Sequence, residues 1–138
     1  ENGKLLRMPV RNDTDIWVHI EADVKELDSA LTVGYAIYSE DGIPLYWSYQ
    51  TDEEENRWPV IKKGRCVLRS QIPKRFLNEG DYRLEVVGGL HFRKWLFEPG
   101  RNCPSIALQI NGGLSDSPLW MVRRPVALAP VLKWEVAD

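Results

Sequence analysis

The sequence predicts an all-β protein, an antiparallel sandwich of about eight or nine strands. Three observations carry this. Apolar and polar residues alternate in short runs, and helical periodicity is almost missing. Gly, Pro, Asn and Asp punctuate those runs at short intervals, as turn residues do. The chain has 138 residues and a mass of 15.9 kDa. That length suits a single domain, residues 1–138, burying roughly two-thirds of the surface its unfolded form exposes, with no need of a disulfide or metal.

Residues 4–10 read as a weak first strand. In residues 15–24, Ile16, Val18, Ile20 and Ala22 alternate with Trp17, His19, Glu21 and Asp23. In residues 31–39, Leu31, Val33, Tyr35 and Ile37 alternate with Thr32, Gly34, Ala36 and Tyr38. The turn Glu40-Asp41-Gly42 follows, with Gly able to supply a positive φ, and residues 44–51 return as the second arm of a hairpin. Residues 52–64 form a loop whose acidic run Asp52–Glu55 is a solvated stretch. Residues 65–72 are a strand and residues 74–78 one helical turn. Gly80-Asp81-Tyr82 then enters a strand with Tyr82, Leu84 and Val86 on one face, the pattern of a tyrosine corner. Residues 90–98, 105–111 and 119–136 supply the remaining strands.

Lys and Arg total 18 against 20 for Asp and Glu, a formal charge of −2. This balance argues against a dedicated nucleic-acid binder, which carries a basic excess. The apolar fraction of 43% and the charged fraction of 28% are those of a folded domain. Cys66 and Cys103 are expected as reduced thiols. No apolar run reaches membrane-spanning length and no signal peptide is visible. A start at Glu1 without Met suggests a piece of a longer protein. The sequon Asn12-Asp13-Thr14 is too short a pattern to carry weight.

Catalytic patterns are missing. There is no P-loop and no dinucleotide fingerprint. His19 and His91 have no His or Cys at metal-ligand spacing, so no metal or other cofactor is expected. Gly113-Leu114-Ser115-Asp116-Ser117 departs from the nucleophile elbow at its fifth residue. A pairing of Cys66 or Cys103 with His91 stays open, and an inert buried Cys is the plainer reading. Among 20 carboxylates, some pair always suits a glycosidase, so that signal discriminates nothing.

Binding is better supported, because six Trp and five Tyr outnumber three Phe, and aromatics with a polar edge favour recognition surfaces. If Ile16, Val18 and Ile20 face inward, a period of two puts Trp17, His19 and Glu21 outward. An indole beside imidazole and carboxylate suits a sugar, whose C–H face packs on the ring; another strand, loop or subunit covering Trp17 is the alternative. Tyr38 is expected outward beside Gly34 and Ala36. In the return strand, Leu45, Trp47 and Tyr49 form one face and Tyr46, Ser48 and Gln50 the other. The second face is more polar, which predicts Tyr46 and Gln50 outward. Trp58 in its loop serves recognition or lids the sandwich end. His91, Arg93 and Trp95 are expected on one face of a strand, with Phe92 and Leu96 on the other; an edge strand guarded by charge is the alternative. Trp134, in register with Leu132 and Val136, belongs to a core or an interface. The candidate glycan contacts are therefore Trp17, His19, Tyr38, Tyr46, Trp58, His91, Arg93 and Trp95.

Three stretches together carry a resemblance. They are Leu31–Tyr38 with Asp41-Gly42-Ile43-Pro44-Leu45-Tyr46, Ile72-Pro73 with Phe76–Leu84, and Arg124-Pro125 with Leu132-Lys133-Trp134. Over about residues 15–136 the chain resembles the C-terminal domain of Wzt-type ATP-binding subunits of bacterial polysaccharide ABC exporters. The resemblance implies a non-catalytic, immunoglobulin-like carbohydrate-binding domain that recognises lipid-linked O-antigen-type polysaccharide. It implies a place at the cytoplasmic face of the inner membrane, behind a nucleotide-binding domain that holds the P-loop and meets the permease. It implies a homodimer through exchange of the C-terminal strand, for which the apolar end from Pro125 to Val136 is suited. Trp47 and Tyr49 stand where smaller or polar residues are expected, which implies a different ligand. Alternatives of other classes are an immunoglobulin-like domain that mediates assembly and a small β-sandwich glycan hydrolase.

Overall fold

The computed structural model describes residues 9–137. It contains seven strands: β1 (Ile16–Val24), β2 (Leu31–Ser39), β3 (Pro44–Tyr49), β4 (Gly64–Ile72), β5 (Gly80–Leu90), β6 (Lys94–Phe97) and β7 (Ser105–Ile110). One short 3-10 turn, Glu55–Arg57, interrupts the loop between β3 and β4. No helix among the described residues is long and apolar enough to cross a membrane.

All pairings between these strands are antiparallel. β1 and β4 form a two-stranded sheet, and β3-β2-β5-β6 a larger one in which β7 also pairs with β5. The core lies between the layers. Ile16, Val18 and Ile72 of the small sheet meet Tyr35, Ile37, Leu84, Leu108 and Ile110 of the large one. Alternation explains this directly: Ile16 and Val18 are buried while Trp17, His19 and Glu21 face out. β2 breaks the rule, because Gly34 through Tyr38 are all buried. Its outer side carries a second small cluster of Ala36, Tyr38 and Val87, with Tyr49 packed on it.

Three sequence expectations change, and a fourth lies mostly outside the described residues. Of the proposed first strand, residues 4–8 lie outside the described residues; Val10 bridges Ile110 in parallel, its N–H donating to the Gln109 carbonyl at 2.8 Å. Residues 74–78 form no helical turn, since Arg75 takes a positive φ of 56° and Leu77 bridges Leu128. The strand expected over 90–98 starts only at Lys94. Phe92, at φ 56°, turns the chain, and the Arg93 N–H closes that turn on the Leu90 carbonyl. Residues 119–136 form no strand, because apart from the Leu128 bridge no neighbouring strand among the described residues pairs with them. Among the described residues the count is accordingly seven, against the eight or nine expected. Both cysteines are free thiols.

The tyrosine corner is present. The Tyr82 hydroxyl reaches the Asn78 carbonyl at 2.8 Å and the Ala127 carbonyl at 3.2 Å. Asn78 is fully buried and holds the chain end: its side-chain amide donates to the carbonyls of Arg124 and Val126, both at 2.6 Å. Its own N–H donates to Ala127, and the Ala129 N–H donates to Phe76. The corner thus satisfies buried carbonyls from two segments at once. Tyr82→Phe should lower unfolding free energy by about 1–3 kcal/mol, the cost of leaving the buried Asn78 carbonyl without its partner, while the Ala127 carbonyl keeps the Asn78 N–H. Chemical denaturation measures this, and an unchanged midpoint would refute the role of the hydroxyl.

Candidate functional site

The outer face of the large sheet is built on small residues. Cross-strand register places Trp47 beside Ala36 and Tyr49 beside Gly34. On the other side, Thr32 and Trp95 both neighbour Gly89. A Cβ at Gly34 would lie 1.9 Å from the Ser48 carbonyl oxygen, and one at Gly89 2.7 Å from that of Lys94. Only glycine lets the neighbouring backbones approach this closely. β3 and β6 stand three strand spacings apart, roughly 14 Å. Their indoles nonetheless meet edge to face, with centroids 6.5 Å apart at 87°. Each ring must lean inward over the low floor. Trp47 also meets Tyr49 edge to face at 6.4 Å.

The result is an open trough of about 590 Å³. Trp47, Tyr49 and Trp95 form its walls, Gly89 part of its floor, and Thr32, Thr51, His91 and Arg93 its polar rim. At the tip of the β5–β6 turn, Phe92 is 98% exposed, with its ring centroid 4.0 Å from that of His91. The Arg93 guanidinium forms an ion pair with Asp28, whose carboxylate also accepts the Ala30 N–H at 2.9 Å. That N–H and Arg93 hold Asp28 below the usual carboxylate range, so it is an acceptor at neutral pH.

The eight residues expected at a glycan site are distributed over the molecule. His91, Arg93 and Trp95 share the trough, although His91 and Arg93 stand in a turn and not on a strand. Trp58 lines an adjoining hollow of about 250 Å³, with its indole N–H donating to the Glu53 carbonyl at 2.7 Å. Trp17 and His19 are outward as expected, but on the small sheet, across the core from the trough. There the Arg69 guanidinium lies 4.9 Å from the Trp17 ring centroid. Tyr38 is on the outer face yet buried, with Arg83 stacked on its ring at 4.5 Å. Tyr46 faces inward, contrary to expectation: it packs edge to face on Tyr35 and Phe76, and burial raises its hydroxyl pKa. Gln50 also departs from its outward placement, for its side chain bonds the Val33 N–H and the Leu31 carbonyl. Trp47, Tyr49, Thr51 and Phe92 also line the trough and are not among the eight candidates. Leu45, Trp47 and Tyr49 were recognisable as one face; choosing the more polar face as the outer one hid them.

Glu85 shares the outer face, next to Ala36 in register, and is 1% exposed. It pairs with Arg83 and accepts the Gly100 N–H at 2.6 Å, which ties down the loop between β6 and β7. Burial pushes its pKa up, but the Gly100 N–H, the Cys103 thiol and Arg83 together bring it below the usual value. Cys103 is raised in turn, by burial and then by Glu85. Among the described residues, no group of three or more His, Cys, Asp and Glu could hold a metal ion.

The crystal structure of the C-terminal domain of Wzt is similar, with a TM-score of 0.54, 15% identity, and coverage of 94% of this chain and 73% of that one. This chain has that domain's fold. No family model and no curated protein matches it.

Glu85 gives a test of the electrostatics beneath the trough. A carboxyl whose folded pKa is depressed stabilises the protein above its unfolded value, near 4.5, and loses that contribution as pH falls through the lower folded value. Thermal melts should therefore show Glu85→Gln less stable than the wild type at neutral pH, with the gap narrowing on acidification. A gap that stays constant with pH would refute this.

Proposed function

We propose that this domain is a non-catalytic module that recognises bacterial surface polysaccharide of the O-antigen type, binding it in the outer-face trough. The observation that supports this most is the pair of half-exposed indoles, Trp47 and Trp95, standing over a floor of small residues with polar groups at the rim. Sugars offer apolar C–H faces to such rings and hydroxyls to such rims. The trough lining carries no carboxylate, which favours binding over glycoside hydrolysis. The likeness to Wzt extends the reading to polysaccharide export. The domain would act at the cytoplasmic side of the inner membrane, joined to an ATP-hydrolysing domain that engages a permease.

Titration calorimetry with O-polysaccharide of the source strain tests the placement. Trp95→Ala and Trp47→Ala should each raise Kd by at least about tenfold, ~1.4 kcal/mol. Trp17→Ala, on the other side of the sandwich, should leave Kd unchanged. The reverse pattern would move the site to the small sheet.

We also propose a homodimer formed through the C-terminal segment. Leu132, Trp134 and Val136 are exposed, Trp134 at 90%, and residues 131–137 pair with no strand of their own chain among the described residues. Such an apolar terminus is suited to pairing with a second copy. Residues 124–129 belong to the corner, so the informative truncation ends at Pro130. Light scattering should give a dimer for the full chain and a folded monomer for the truncated one. Equal masses for the two would exclude assembly through this segment.

A further inference from the structure

We propose that the trough and the adjoining hollow are two contiguous subsites for one run of linked pyranoses, read at their junction by the Arg93–Asp28 pair. This rests on the glycan reading above and specifies its ligand: a stretch of at least two linked sugars, not a single unit.

The two depressions share a wall. Thr51 lines both, while Tyr49 and Gln50, and Thr32 and Leu31, each place one neighbour on either side. Each depression has its own aromatic platform, Trp95 with Trp47 in one and Trp58 in the other. The indole N–H of Trp58 is already committed to the Glu53 carbonyl, which fixes the ring and leaves its apolar surface for a ligand. Between the platforms, Arg93 lines the trough, Asp28 lines the hollow, and the two form an ion pair across the boundary.

That pair is chemically specific. Its side chains are 55% and 30% exposed, so the guanidinium keeps free N–H donors and the carboxylate keeps free lone pairs toward solvent. A donor and an acceptor side by side match a vicinal diol, in which one hydroxyl accepts from Arg93 and the next donates to Asp28. The mutual neutralisation of Arg93 and Asp28 suits uncharged hydroxyls better than an isolated charge would. The Ala30 N–H holds the carboxylate in place, so little ordering is left to occur on binding. A single sugar reaches one platform only; a linked pair reaches both and lays its linkage over the ion pair.

The test is calorimetric titration with delipidated O-polysaccharide of the source strain, cleaved by mild acid and sorted into monosaccharide, disaccharide and longer fragments. For the wild type, affinity should rise at least about tenfold from monosaccharide to the longer fragments. Trp58→Ala and Asp28→Asn should abolish that rise while leaving monosaccharide binding within about twofold. Asp28→Asn retains an acceptor for the Ala30 N–H, so it stays informative if Trp58→Ala fails to fold. Trp95→Ala should weaken every fragment. Affinity independent of length, or long-fragment binding indifferent to both Trp58→Ala and Asp28→Asn, overturns the two-subsite proposal and leaves the glycan reading standing. Absence of binding by every fragment and by the intact polysaccharide overturns both.

Discussion

The backbone ladder of β5 holds the larger sheet together. β2 runs along one of its edges from Tyr82 to Leu90, and β7 and β6 divide the other edge between them. β3 reaches the sheet only through β2. Because β5 has neighbours on both edges, its side chains are constrained on both faces. Tyr82 and Leu84 serve the core, while Glu85, Val87 and Gly89 serve the outer surface. The change along β5 from Leu and Val to Gly88-Gly89 is where the outer surface drops low enough for the indoles to lean over it. A register shift at that same step lets β6 pair there.

Electrostatics and packing are coupled on this face. Glu85 is buried in register with Ala36, and Ala36 is the neighbour of Trp47. The carboxylate therefore anchors the β6–β7 loop from a position on the same face, in line with Ala36 and Trp47. A buried anion without Arg83 and the Gly100 N–H would be costly; with them it fixes one border of the outer face. Stacking of Arg83 on Tyr38 joins the same cluster. A polar network thus lies alongside the aromatic rings on one face of the sheet.

Much of the fold was legible because burial on one side of a strand imposes a period of two. β1, β4 and β7 follow that rule, and Gly80-Asp81-Tyr82 announces its corner through a local hydrogen bond. Tyr46 and Trp47 show where the rule stops. The outer face of the large sheet is itself covered with aromatics, so polarity no longer distinguishes outside from inside, and in β3 it is Tyr46 that turns to the core and Trp47 that faces out. The turn at Phe92 was hidden because a non-glycine residue takes the positive φ that glycine usually supplies. The chain end misled for another reason. Its alternation is genuine, but a strand exists only with a partner, and no strand among the described residues pairs with residues 131–137. The candidate trough is legible in part: the sequence points to His91, Arg93 and Trp95, while their neighbours on β3 depend on a face assignment that single-strand patterning does not supply.

The length of β5 has one more consequence. Eleven residues of strand span roughly 35 Å. The tyrosine corner, with the chain end it secures, lies at one tip, and the aromatic trough lies at the other. Substitutions this far apart with no shared partners act nearly independently. Side chains at the hairpin tip are therefore free to change without loosening the corner, and the corner secures the architecture without constraining the rings at the other tip.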